Sequence, residues 1–487
     1  TGVTTLNTSA GSGKVDFNTG AFTVTESASF QGGTDDLALF MESQNGVLAI
    51  EGNLTLDVLT LAGGDVQIDS NNTGASTLTV GQLRVTSTGS SITGSNTSTP
   101  DDVLSIGASG FDLQQDFELS GLTVNSSGTT TTDAGTSDDL NLTGSTTFNN
   151  TGTFELQGNG DSIVSTDATG TFNNTGTLAY TGSSTAVVGS TATGSDLTFQ
   201  NAGGTISVAS GGELEFRDGG TFTGVTTLNT AAGAGTIDFN SGIFTFEEAA
   251  TVGGNANEKS IRLGSSNGTL AIQGSLSLDS LTMAGGDVQL DSNNDSSSVL
   301  NVEQLVVSGT GSAITGANSG TVDDTVNISA VGSIQLNHSF ELSALNVSAA
   351  GSVTTDTGPS DVLDLTAGTV FTNQGSGTFE FQSSSDSIVS SDGTGTFVNA
   401  GTLAKTGTNV SQIGSTATGS TLTFQNTGGT ISVASGGELQ FNDGGTFTGV
   451  TTLNTSAGSG KIDLNTGAFT VAESASFQGG TDDRALF

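Results

Sequence analysis

Five pairs of adjacent aspartates punctuate the chain: Asp35-Asp36, Asp101-Asp102, Asp138-Asp139, Asp323-Asp324 and Asp482-Asp483. Neighbouring carboxylates offer oxygen ligands to a hard cation such as calcium, and they equally accept hydrogen bonds from backbone N–H groups in a turn. Asp291-Ser-Asn293-Asn-Asp295 has the opening spacing of an oxygen-ligand calcium loop. It lacks the glycine that should follow, and Val302 stands at the twelfth position, where such a loop needs an acid. The counterpart Asp69-Ser-Asn71-Asn-Thr73 lacks the third acid. The candidate metal ligands are Asp35, Asp36, Asp101, Asp102, Asp138, Asp139, Asp291, Asn293 and Asp295, with calcium the ion they suit and turn formation the competing reading. No cofactor is required.

Other chemistry has little material. The one histidine, His338, is replaced by Gln115 at the equivalent place earlier in the chain, so nothing repeated depends on it. The eight lysines and arginines are spread thinly, and the most divergent stretch, Asn255 to Arg262, sets no aspartate cluster beside Lys259 and Arg262. An enzyme is not expected. GNGDSI at 158–163 resembles a fragment of a glycine-rich calcium repeat, but it stands singly.

Charge narrows the partners. Forty-eight acids against eight bases give a formal charge of -40, which disfavours nucleic acid because phosphate binding needs clustered Lys and Arg. No run approaches the length of a membrane span, so no direct insertion is expected from this segment. Cations, neutral glycans, other cell-surface components or further copies of the chain are the partners left. With no cysteine there is no disulfide framework.

What positions these residues is repetition. TGVTTLNT begins at 1, 223 and 448, dividing the chain into repeat A (1–222), repeat B (223–447) and the start of a further A-type repeat (448–487), without linkers. Residues 448–487 match 1–40 at 36 of 40 positions, whereas 223–262 match at 20, so the larger unit is a pair of unlike repeats. Such an array is expected to continue, covalently or through another copy.

A shorter period lies within. Phe148, Phe172, Phe199 and Phe222, and likewise Phe371, Phe397, Phe424 and Phe447, recur every 23 to 27 residues. Between Phe199 and Phe222 lie the alternating pairs Ile206/Val208 and Leu214/Phe216, separated by turns that end in Gly-Gly. With 73 glycines, 2 prolines and no sustained helical period, the prediction is an all-β fold. It is a right-handed parallel β-solenoid of about three short strands per coil, since parallel crossovers prefer that hand. Phe-x-Asn fixes the register at Phe148/Asn150, Phe172/Asn174, Phe199/Asn201, Phe371/Asn373, Phe397/Asn399 and Phe424/Asn426. The phenylalanines are expected to stack inward, and the asparagines to take left-handed turn positions and pass amide hydrogen bonds from coil to coil.

The run F-x-N-x-G-G-T-I-x-V-x-x-G-G-x-L-x-F, from Phe424 to Phe441, resembles the coils of long repetitive bacterial surface proteins: β-solenoid adhesins and autotransporter passengers of the filamentous-haemagglutinin type. The resemblance implies export, an extracellular or cell-surface location, and adhesion, spacing or assembly. The function expected is a structural fibre or sheath component that continues end to end as a filament. An adhesin stalk is the alternative, and a glycan-binding or glycan-degrading β-helix protein is a third reading.

Overall fold

The computed structural model describes residues 3–5, 15–26, 28–32, 37–135, 137–190, 192–294, 297–317, 322–358, 360–456, 459–473 and 475–479, so Asp35, Asp36 and Asp295 lie outside the described residues. The described chain forms short β-strands and no helix. It divides into two compact units, 1–242 with 253–259 and 243–252 with 260–487.

In the first unit the chain winds through three strands per coil. Thr147–Asn150, Thr153–Leu156 and Ser162–Val164 make one coil, and Thr171–Asn174, Thr177–Tyr180 and Thr185–Val188 the next. Each strand pairs in parallel with its equivalent: Phe148 with Phe172, Phe154 with Leu178, Ile163 with Val188. The second unit repeats the plan, pairing Phe371 with Phe397, Phe379 with Leu403 and Ile388 with Ile413. The fold is the parallel β-solenoid that alternation and repeat spacing predict. Coil length varies more than the phenylalanine spacing suggests: Leu83 pairs with Phe111, 28 residues on, Phe111 with Thr130, 19 on, and Leu48 with Val66, 18 on. The second unit does the same where Leu305 pairs with Ile334, 29 on, and Ile334 with Val353, 19 on.

Alternation decides which side chains enter the bore. In Thr147–Asn150 and Thr153–Leu156 every second residue is buried, and Phe148, Asn150, Phe154 and Leu156 are fully enclosed. Burying one such phenylalanine contributes about 1.5–3 kcal/mol, and no single coil has enough of them to fold alone. Phe148, Phe172 and Phe199 stack with centroids 5.4 and 6.3 Å apart and planes within 12°. The fourth phenylalanine departs from the expected pattern. Gln200 pairs with Thr221, so Phe222 lies opposite Asn201 rather than Phe199, and its ring meets Phe199 at 62°. Phe447 stands opposite Asn426 in the same way. A short coil brings the ring two positions along the strand.

The Gly-Gly turns divide two tasks. Gly203, Gly211 and Gly219 have φ of 78°, 82° and 81°, where a side chain is strained. Each following glycine instead gives clearance. A Cβ on Gly204 would collide with Asn174 Nδ2 and lie 2.8 Å from the Asn174 carbonyl, whereas one on Gly203 meets nothing nearer than 3.9 Å. Gly203→Ala is therefore expected to cost about 1 kcal/mol, the ordinary left-handed penalty. Gly204→Ala should cost at least twice that by displacing the asparagine beneath it, at roughly 2–4 kcal/mol. Urea unfolding of the two variants checks the order, and equal losses would show that the second glycine is not needed for clearance.

Candidate functional site

The polar residues singled out above fall into two sets. The ladder asparagines are strand residues aimed into the bore, all fully buried, and none has a positive φ; the left-handed turn position expected for them is corrected by the structure. Alternation puts residue i+2 on the same side as the phenylalanine, which a turn reading overlooks. Asn150 Nδ2 donates to Asn174 Oδ1 at 2.8 Å, and Asn174 Nδ2 to Asn201 Oδ1 at 2.7 Å. Asn201 Nδ2 ends the series on Thr226 Oγ1 (2.8 Å) and the Gly204 carbonyl (3.1 Å). Asn373, Asn399 and Asn426 repeat it at 2.8 and 2.7 Å, ending on Thr451 Oγ1 at 2.8 Å. Each rung also reaches backbone: Asn150 to Thr177 O, Asn174 to Thr205 O. A second ladder, Asn173 to Asn149 to Asn125, runs on the outer side of the same strands at 2.9 Å per step.

The aspartates act on backbone in neighbouring coils. Asp102, fully buried, accepts Ser76 N–H (3.0 Å) and Ser95 N–H (2.9 Å), and Asp324 accepts Ser298 and Ala317 N–H at 2.8 and 3.1 Å. Asp101 is exposed and accepts from the Asn96 amide. Asp138 accepts Asp133 N–H at 3.2 Å. Asp139 accepts the Ser162 hydroxyl at 2.5 Å; burial, with the charges of Asp116 and Asp161, pushes its pKa up against that bond. Asp291 is buried at φ 51°, and Asn293 is exposed. The three pairs among the described residues are thus split: one member faces inward as a clasp and the other faces out; Asp482 and Asp483, like Asp35 and Asp36, lie outside the described residues. Among the described residues no three acidic or histidine side chains are placed to hold a metal ion.

Several clasps were not singled out from the sequence. Asp161, within GNGDSI, accepts N–H from Asp138 (3.1 Å), Gln157 (3.0 Å) and Gly158 (2.6 Å), besides the Thr132 hydroxyl. Asp218 accepts Ser190 and Leu197 N–H at 2.9 and 2.7 Å, and Asp443 does the same for Ser415 and Leu422 at 3.0 and 2.8 Å. Their signal was recurrence at equivalent places in both repeats rather than adjacency to another acid.

Asp167 and Asp392 clasp outer turns. Burial pushes each pKa up, but donors outweigh it and hold the carboxyls below the ordinary range: Gly144 and Thr169 on Asp167, Ala367 and Thr394 on Asp392. A depressed folded pKa adds stability that is present above the unfolded value and lost as pH falls through the folded one. Amide exchange at Gly144 and Ala367 should therefore quicken once the pH drops below the ordinary carboxyl range. Unchanged protection there would mean the clasps hold nothing.

An open groove of about 490 Å³ in the first unit is lined by Asp65, Ser91, Asp116, Glu118, Asp139 and Asn141. In repeat B, Ser339 and Val362 replace Asp116 and Asp139 while Asp364 replaces Asn141, so the equivalent place keeps Asp287, Glu341 and Asp364 and is less acidic by one group. His338 is half-buried on the turn before Phe340–Ser343.

These features define a three-strand-per-coil parallel β-solenoid whose interior polar groups serve its own backbone. No family model matches the chain, and no curated protein or solved structure matches it.

Proposed function

We propose that the chain is a segment of an extracellular structural fibre or sheath in which the stacked coils are themselves the working part. The observation that carries this reading is the duplication of the internal framework. Asn150/Asn174/Asn201 and Asn373/Asn399/Asn426 make the same bonds, and Asp102/Asp324, Asp161/Asp386 and Asp218/Asp443 clasp equivalent turns. Side chains with chemical reach are spent on holding coils together, and spent alike in both repeats. A repeated coil lets a chain gain length at nearly constant stability per unit, because each coil depends on its neighbours. The formal charge of -40 keeps the outer surface hydrated and neighbouring fibres apart. Its partners in this reading are further copies of itself.

Cryo-electron microscopy of native material tests it. Continuous fibres with an axial repeat of about 40–45 Å, or twice that for the paired unit, are expected from a coil spacing of about 4.8 Å. Isolated particles with free ends would overturn the fibre.

A further inference from the structure

Charge is not spread evenly over the coils. The strands in register with Thr147–Asn150 turn Thr147 and Asn149 outward, half-buried, and stack them on their counterparts coil after coil. One outward column runs from Thr55 through Asn125, Asn149 and Asn173 to Thr221. Beside it a second runs from Thr77 through Thr147 and Thr171 to Thr198. Along the described coils neither column contains a charged residue. The second unit does likewise, from Ser277 through Asn327 and Thr372 to Thr446 and from Ser275 to Thr423. Ser348 and Thr372 stand there where the first unit has Asn125 and Asn149, so what the units share is neutrality rather than particular residues.

The other strands carry the charge. The third strand of successive coils turns Asp65, Glu118 and Glu213 outward in the first unit, and Glu341, Asp364 and Glu438 in the second. Asp112 and Glu155 lie outward on the second strand. With a formal charge of -40, two copies repel unless they meet with their acids on the far sides, and the uncharged face allows that approach. Its rungs are set by backbone pairing at about 4.8 Å, a spacing that a second stack of the same coils shares by construction. Columns of threonine and asparagine in parallel register are also the kind of surface that interdigitates between paired sheets.

We propose that two copies of the chain pair side by side through this uncharged face, related by a twofold axis, with the acidic strands turned outward so that further copies are held off. The inference rests on the fibre reading and adds a sideways contact to it. One unit's face measures about 34 Å by about 13 Å and offers roughly 450 Å², against about 800 Å² per partner in a stable complex. The pairing is therefore weak and depends on concentration.

Sedimentation equilibrium of the full chain, up to about 1 mM and at low and high salt, tests this. A dimer is expected that tightens as salt screens the remaining repulsion, the reverse of an association held by ion pairs. A chain carrying Thr171→Glu and Thr396→Glu should dimerise at least about tenfold more weakly, because like charges then meet across the face. Thr185→Glu, on the acidic strand, should change nothing. Mixing the glutamate chain with one carrying Thr171→Lys and Thr396→Lys should restore pairing, which misfolded variants would not do. A monomer at every concentration, or a dimer indifferent to the glutamates, would overturn the proposal. So would binding of the chain to insoluble cellulose that the glutamates abolish, since the face would then belong to a neutral polysaccharide. Native fibres one rod wide would overturn the pairing and leave the fibre reading standing.

Discussion

Replacing Phe172 by alanine is expected to cost about 3–5 kcal/mol, the range for emptying a well-packed aromatic site. The ring is fully buried and is held on three sides. It stacks on Phe148 at 5.4 Å with a 7° interplanar angle, on Phe199 at 6.3 Å, and meets Phe154 edge-on at 5.4 Å and 85°. Removing it strips contacts from three neighbours in successive strands, and the coil cannot close the gap because backbone pairing fixes the spacing on each side. Phe397 sits in the same arrangement between Phe371, Phe379 and Phe424, so Phe397→Ala should cost a similar amount. The two sites lie in different units and share no partner, so their effects should add in the double variant. Tyr180, the chain's one tyrosine, is buried in the first unit, and without tryptophan its fluorescence reports that unit directly in urea titration. A loss under about 1 kcal/mol would show that the ring column is not close-packed.

Asn174→Asp should be equally severe, although it exchanges one amide nitrogen for oxygen. The Asn174 amide donates to Asn201 Oδ1 and Thr205 O while accepting from Asn150 Nδ2. A carboxylate keeps the last bond, loses both donations and sets charge against two oxygens inside the bore. Unsatisfied buried groups and an unpaired buried charge put the loss at about 3–5 kcal/mol near neutral pH. The aspartate pKa is raised in the folded state, so stability returns as the pH falls and the carboxyl regains a proton to donate. Asn173→Asp is the control, one residue along on the outer ladder, where the half-buried amide donates to Asn149 Oδ1; its cost should stay below that of the inner position, at about 1–2 kcal/mol. Equal effects at the two positions would refute the inner ladder's role.

Why some of this was readable from sequence, and some not, follows from its period. Strand alternation such as Ile206-Ser-Val208 and the return of Phe-x-Asn identify stacked parallel strands, because burial has period two and pairing has the period of a coil. What a one-dimensional spacing does not carry is where a short coil shifts the register. Phe222 continues the phenylalanine count yet lands opposite Asn201. The aspartate pairs were misleading for a related reason. Adjacent residues in extended chain face opposite ways, so Asp101 and Asp102 separate rather than converge. Lys405 was unreadable because a lysine in an inward register looks like any surface lysine until Tyr180 is seen in the matching place.

The inner ladder also has a direction. Every amide donates toward the later coil, and the choice is not free, since each Nδ2 also reaches a backbone carbonyl, which can only accept. The three amides of each ladder therefore form a row of dipoles aligned head to tail, each polarising the next. The row stops where Phe222 or Phe447 takes the register of a fourth asparagine and a threonine hydroxyl, free to rotate, receives the last bond. In effect the fold counts to three and writes its own full stop, so polar order inside each unit is confined to a block of fixed length and polarity.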